Sequence, residues 1–172
     1  FHQGLAPYFR EYVKAELLSW CANNEKEDGT PYNLYTDGLK IYTTIDSRLQ
    51  KYAEDAMVQQ MTEIQKVFFD HWGKQKPWKG KEEVLEQAIQ HSDGYQKVLE
   101  QGLPKAEIME VMEKPIPMSV FTWTGVKEEN LSPVDSVIHN LQYLNAGFLA
   151  IDPSNGKIRA WVGGIDHDFF QF

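Results

Sequence analysis

The 172-residue chain holds one cysteine, Cys21, so no disulfide can form within it. We expect that thiol to be a small buried side chain on a helix beside Trp20. No run of about 18 apolar residues occurs, and nothing in the sequence reads as a bilayer-spanning helix. Lys and Arg number 17 against 25 Asp and Glu, for a net charge of −8. No basic block longer than a few residues offsets that balance, which excludes nucleic acid as a natural partner. His2, His71, His91, His139 and His167 are scattered, with no His-x-x-x-His pair and no cysteine cluster. No metal site or cofactor is expected. Paired carboxylates suited to acid–base work are also lacking, because Glu82, Glu83, Glu86, Glu107, Glu110 and Glu113 fall on helix exteriors. The chain opens on Phe1-His2-Gln3 instead of methionine, and we expect an excised piece of something longer.

What is present reads mainly as helix. Pro7 suits a first helical position, and Phe9, Tyr12, Val13, Leu17 and Trp20 recur at helical spacing up to Asn23-Asn24. Glu25 to Pro31 reads as a charged linker of low order. Leu39 to Ile45 alternates like a strand. Asp46 then caps a long helix whose apolar stripe (Leu49, Tyr52, Ala53, Ala56, Met57, Met61, Ile64, Phe68) runs to Trp72 before Gly73. Shorter helices are predicted around Val84–Ile89, from Tyr95 to Gly102, and after Pro104. Met118 to Trp123 alternates again, with 39–45 as its most economical partner. Ser132-Pro133 starts a last helix, with Val134, Val137, Ile138, Leu141 and Leu144 on its buried face.

Asn145 to Gly164 is the stretch that organises the chain. Phe148 to Ile151 is wholly apolar, Asp152-Pro-Ser-Asn-Gly156 is a cluster of turn formers, and Ile158, Ala160 and Val162 alternate with Lys157, Arg159 and Trp161. The pattern predicts a β-hairpin. A two-stranded hairpin is not stable alone, so its open strand edge calls for cover by a second copy, another chain or a folded-back segment. The fold class expected is α+β and mostly helical, a long amphipathic helix packed on short antiparallel β elements.

Three stretches in order carry a family resemblance. Gly147-Phe-Leu-Ala-Ile-Asp-Pro-Ser-Asn-Gly-Lys-Ile-Arg-Ala-Trp-Val-Gly-Gly164 resembles the opening hairpin of the transpeptidase domain in class A, bifunctional penicillin-binding proteins. Asp37 to Ala56 resembles the strand and helix that follow the glycosyltransferase domain there. Met118-Ser-Val-Phe-Thr-Trp-Thr-Gly125 with Leu131-Ser-Pro-Val-Asp-Ser136 resembles the segment before the transpeptidase sheet in the 1A-like branch. The resemblance implies that 1–36 is an exit helix and linker after the glycosyltransferase domain. It makes 37–65 and 115–144 a linker subdomain, 66–114 a helical insert, and 145–172 the first hairpin of a truncated transpeptidase sheet. The parent would polymerise glycan and cross-link peptides at the outer face of the cytoplasmic membrane, anchored by a segment absent from this chain.

Ser154-Asn-Gly-Lys157 spells the Ser-x-x-Lys of penicillin-sensitive acylation, but the motif needs a helix to align hydroxyl and amine, and here it falls in a turn. No catalytic residue is therefore assigned. The partners implied are the rest of the parent chain, an envelope regulator or lipoprotein, and another copy through the hairpin edge. Phe69, Trp72 and Trp78 are the candidate partner-binding residues, with Phe69 and Trp78 marking a site if exposed together. The rival reading is a helical interaction module docking an envelope regulator.

Overall fold

A computed structural model describes residues 4–73 and 75–170, which fall into two compact units. The first is formed by the chain up to Gln60 and again from Asn145; the second is Met61–Leu144. As expected, the fold is α+β, with six helices and two separate two-stranded antiparallel sheets among the described residues.

In the first unit, helix α1 (Pro7–Asn23) begins with its proline in the first turn. Ala6 ahead of it sits at φ 55, and its amide donates to the Glu54 carboxylate at 2.7 Å. That bond holds a left-handed backbone that alanine adopts only at a cost. Asn23 and Asn24 donate to the Ser19 and Trp20 carbonyls and close the helix. Cys21 is buried, as expected. The segment after α1 is more ordered than its charge suggests. Lys26 donates to the Thr30 carbonyl at 2.7 Å, Gly29 donates back to Lys26, and Asp28 accepts from the Thr30 amide and hydroxyl.

Residues 39–45 form no strand, which corrects both the expected strand and its pairing with 118–123. Instead, β1 (Ile116–Val120), in the second unit, pairs with β2 (Lys127–Leu131), from Ile116↔Leu131 to Val120↔Lys127. A local hairpin costs less closure entropy than a partner some seventy residues away. β2 was hidden because Lys-Glu-Glu-Asn is a composition that strands disfavour.

Helix α2 (Ser47–Trp72) begins where expected, with the Arg48 and Leu49 amides donating to Asp46 Oδ1. It ends at Gly73, whose φ of 52 suits glycine. Of the predicted stripe Met61 is buried, whereas Leu49, Tyr52 and Ile64 remain exposed, and the other buried positions of the helix are Gln50 and Gln65.

The second unit also packs α3 (Glu82–His91), α4 (Asp93–Glu100), α5 (Lys105–Met112) and α6 (Pro133–Leu141). Ile89, Tyr95, Ile108 and Met112 form its core, with Val134 and Val137 of α6 against them. The Ser92 hydroxyl caps α4 by accepting from the Tyr95 amide, and Ser132 caps α6 by accepting from Asp135. Within this unit the Gln65 side chain donates to the Gln142 carbonyl at 2.8 Å and accepts from the Leu144 amide at 2.9 Å.

Candidate functional site

The predicted hairpin is β3 (Phe148–Ile151) paired with β4 (Ile158–Val162), with a register irregularity between Ala150 and Ile151. Its two outer edges are treated differently. Along β4, the Trp161 amide donates to Gln50 Oε1 at 2.7 Å, and Gln50 Nε2 donates to the Trp161 carbonyl at 2.9 Å. Thr44 Oγ1 donates to the Ile158 carbonyl and the Asp46 amide to the Arg159 carbonyl. The start of α2 therefore stands in for a third strand. Because both Trp161 backbone groups point to Gln50, the alternation of an antiparallel ladder turns those of Leu149, its partner in register, away from β4. Phe148, Leu149 and Ile151 are 48%, 49% and 52% exposed.

One face of the hairpin meets α1, where Phe9 and Tyr12 pack on Trp161 with ring centroids 5.8 and 5.4 Å away. On the other face, a groove of about 450 Å³ runs between the hairpin and α2. Leu49, Tyr52, Ala53 and Ala56 line its helical wall, facing Phe148, Ala150 and Ala160. The stripe predicted along α2 is thus real in composition, and in this unit it walls a groove instead of filling a core.

In the hairpin turn, Asp152 is the hub. It accepts from the Ser154 hydroxyl at 2.7 Å and amide at 3.0 Å, and from Asn155 Nδ2, and it pairs with Arg159 at 3.1 Å. The Ser154 hydroxyl and the Arg159 guanidinium together hold the Asp152 carboxyl well below the usual carboxylate range. Gly156 closes the turn at φ 71. Ser154 and Lys157 thus lie in a turn, with the serine hydroxyl committed to a carboxylate and not to the lysine amine.

After β4, Gly163 and Gly164 let the Tyr8 ring lie on the backbone. A Cβ at Gly163 would fall 2.7 Å from the ring, and one at Gly164 would overlap the Tyr8 hydroxyl and its ring carbon. That hydroxyl donates to the Phe170 carbonyl at 3.1 Å, and the ring stands edge-on to His167 at 4.9 Å. Burial, with the Asp166 carboxylate adding to it, pushes the Tyr8 phenol up to about 12.

Of the three residues singled out for partner binding, Trp78 is only 7% exposed, Trp72 is half-buried, and Phe69 is 40% exposed. Phe69 stands edge-to-face on Phe68 and Tyr143, at 6.1 and 5.9 Å. Trp72 packs against Phe68 and His71. Phe69 and Trp78 are therefore not exposed together.

Residues 73–144 match the penicillin-binding protein middle domain. No curated protein and no solved structure matches the chain. The matched segment holds Trp78, α3 to α6 and the β1–β2 hairpin, nearly the whole of the second unit. It points to a piece of a penicillin-binding protein, hence to cell-wall synthesis in the cell envelope and to a parent with transpeptidase activity. No described helix is long and apolar enough to cross a membrane. The middle-domain match stops before β3, so the hairpin and its groove lie outside it.

Gln50 and Gln65 escaped the sequence reading. The signal available was a glutamine on the helix face that packing would bury. Tyr8 left no signal except the paired glycines it lies on.

Proposed function

We propose that the chain is the connecting region of a class A, 1A-like bifunctional penicillin-binding protein. It would run from the exit of the glycosyltransferase domain (1–36), through the middle domain, to the first hairpin of the transpeptidase domain (145–172). The parent polymerises glycan strands and cross-links stem peptides through a serine acyl-enzyme on the outer face of the cytoplasmic membrane. This region performs neither reaction and serves to hold the two catalytic domains apart at a set spacing. The observation that carries the reading is the order along the chain: a middle-domain match ending at 144, then a hairpin whose second strand is sealed while its first is open. A hairpin arranged in that way is suited to be the start of a larger sheet. The engagement of Ser154 with Asp152 supports its exclusion as the nucleophile.

Fluorescent penicillin tests this. The product of the complete reading frame should form a stoichiometric covalent adduct, and the 172-residue chain should not. An adduct on this chain that disappears in Ser154→Ala overturns the reading.

The partially exposed Phe69, with half-buried Trp72 beside it, favours a second role as a contact for an envelope regulator or lipoprotein. Crosslinking from position 72 in envelope extracts, lost in Phe69→Glu, is its test.

A further inference from the structure

We propose that Asn155 is a spontaneous deamidation site that the folded hairpin turn holds in check, with Asp152 restraining both reacting groups. Asn155 is the one asparagine of the chain that a glycine follows. The reaction is intramolecular and needs only water. The Gly156 backbone nitrogen attacks Asn155 Cγ and forms a new C–N bond. The carboxamide C–N bond breaks, and its nitrogen leaves as ammonia with the proton that Gly156 gives up. Water then opens the succinimide at either carbonyl, which yields aspartate or isoaspartate at 155. Glycine favours the attack because no Cβ shields its nitrogen.

In the folded turn both groups are occupied, and by the same residue. The Gly156 amide donates to the Asp152 carbonyl at 2.8 Å, which opposes loss of its proton and its approach to Cγ. Asn155 Nδ2 donates to Asp152 Oδ2 at 3.0 Å, and Asn155 Oδ1 accepts from the Lys157 amide at 3.0 Å. Attack requires the carboxamide to turn the face of its plane to the Gly156 nitrogen, and a carboxamide tied at both ends does not swing freely. Asp152 is itself fixed by Ser154 and Arg159. Asn155 is exposed, so water reaches it whenever the turn opens. Each opening therefore risks a permanent change. A carboxylate at 155 has no donor to offer Asp152 and repels it, and isoaspartate adds a backbone atom to a turn that Gly156 closes at φ 71.

Peptide mapping by mass spectrometry, with an isoaspartate assay, tests this on the 172-residue chain at one mildly alkaline pH, folded and in guanidinium chloride. Conversion at Asn155 should be about tenfold slower in the folded chain, with the Gly156 amide protected from hydrogen exchange. Asp152→Asn keeps the shape but removes the carboxylate acceptor for Asn155 Nδ2. It should speed conversion about tenfold while the Trp161 amide stays protected. Equal rates in the folded and unfolded chains overturn the proposal. Slow conversion with rapid exchange at Gly156 overturns it too, as does a rate that Asp152→Asn leaves unchanged. If the variant loses protection at Trp161, the wild-type rates and Gly156 exchange decide by themselves. The inference does not rest on the transpeptidase reading, which the penicillin assay tests separately.

Discussion

The carboxamide of Gln50 donates to the Trp161 carbonyl and accepts from the Trp161 amide, so one side chain satisfies both polar groups of one residue on β4. Gln50 is fully buried, and its Nε2 also donates to Glu54 at 2.8 Å. Few shape-matched replacements can do this. Gln50→Leu fills the same space but strands a donor and an acceptor, at a cost of about 2–4 kcal/mol. Urea unfolding followed at the first unit should show the loss, with faster exchange at the Trp161 amide.

The paired glycines make a second case. In Gly164→Ala the new methyl meets the Tyr8 hydroxyl and ring, and overpacking of this kind costs about 1–3 kcal/mol. Tyr8→Ala should lower stability by itself yet remove most of the penalty of the alanine at 164. A double-mutant cycle with no coupling between the two positions would contradict the arrangement.

Two titrations bracket the stability of the first unit. The folded Tyr8 phenol, pushed up to about 12 from an ordinary 10.0, keeps a proton that the unfolded chain releases. Its contribution is intact below pH 10 and declines as pH rises toward 12. Asp152, held below its ordinary 3.8, acts in the opposite sense: its contribution is present above that pH and is lost as pH falls further. Urea midpoints measured against pH should fall at both ends. Tyr8→Phe should flatten the alkaline limb and Asp152→Asn the acid one.

The middle domain should be sensitive at one point in its core. Ile108 is fully buried among Ile89, Tyr95 and Met112, and Ile108→Ala should cost about 2–5 kcal/mol. Near-ultraviolet circular dichroism, which reports aromatic packing, should collapse at a lower urea concentration. Val111→Ala, on the exposed side of the same helix, should change little.

Local chemistry made much of this fold legible. Pro7, Asp46 and Ser132 mark helix starts through interactions confined to a few neighbouring residues, and the Phe148–Val162 hairpin announces itself by its turn. What escaped were features decided at long range or against propensity. Thr44 lies beside Ile158 through a side-chain bond and not a ladder, so alternation at 39–45 signalled extended chain but could not name its neighbour. Lys127 to Asn130 pair as a strand although their composition argues against it. In α2, hydrophobicity marked Leu49 and Tyr52, which are exposed, as well as Met61, which is buried, whereas two further buried positions went to Gln50 and Gln65, whose amides replace backbone partners. In the site, the hairpin could be read, but which of its edges is closed depends on Gln50, 111 residues away in sequence.

Gln65 ties the start of the second unit to its close, since Leu144 is the last residue of that unit and Met61 the first. A stretch whose two ends are pinned together behaves as a cassette. It can be lengthened, trimmed or swapped for a different domain while the junctions that the host chain sees stay where they are.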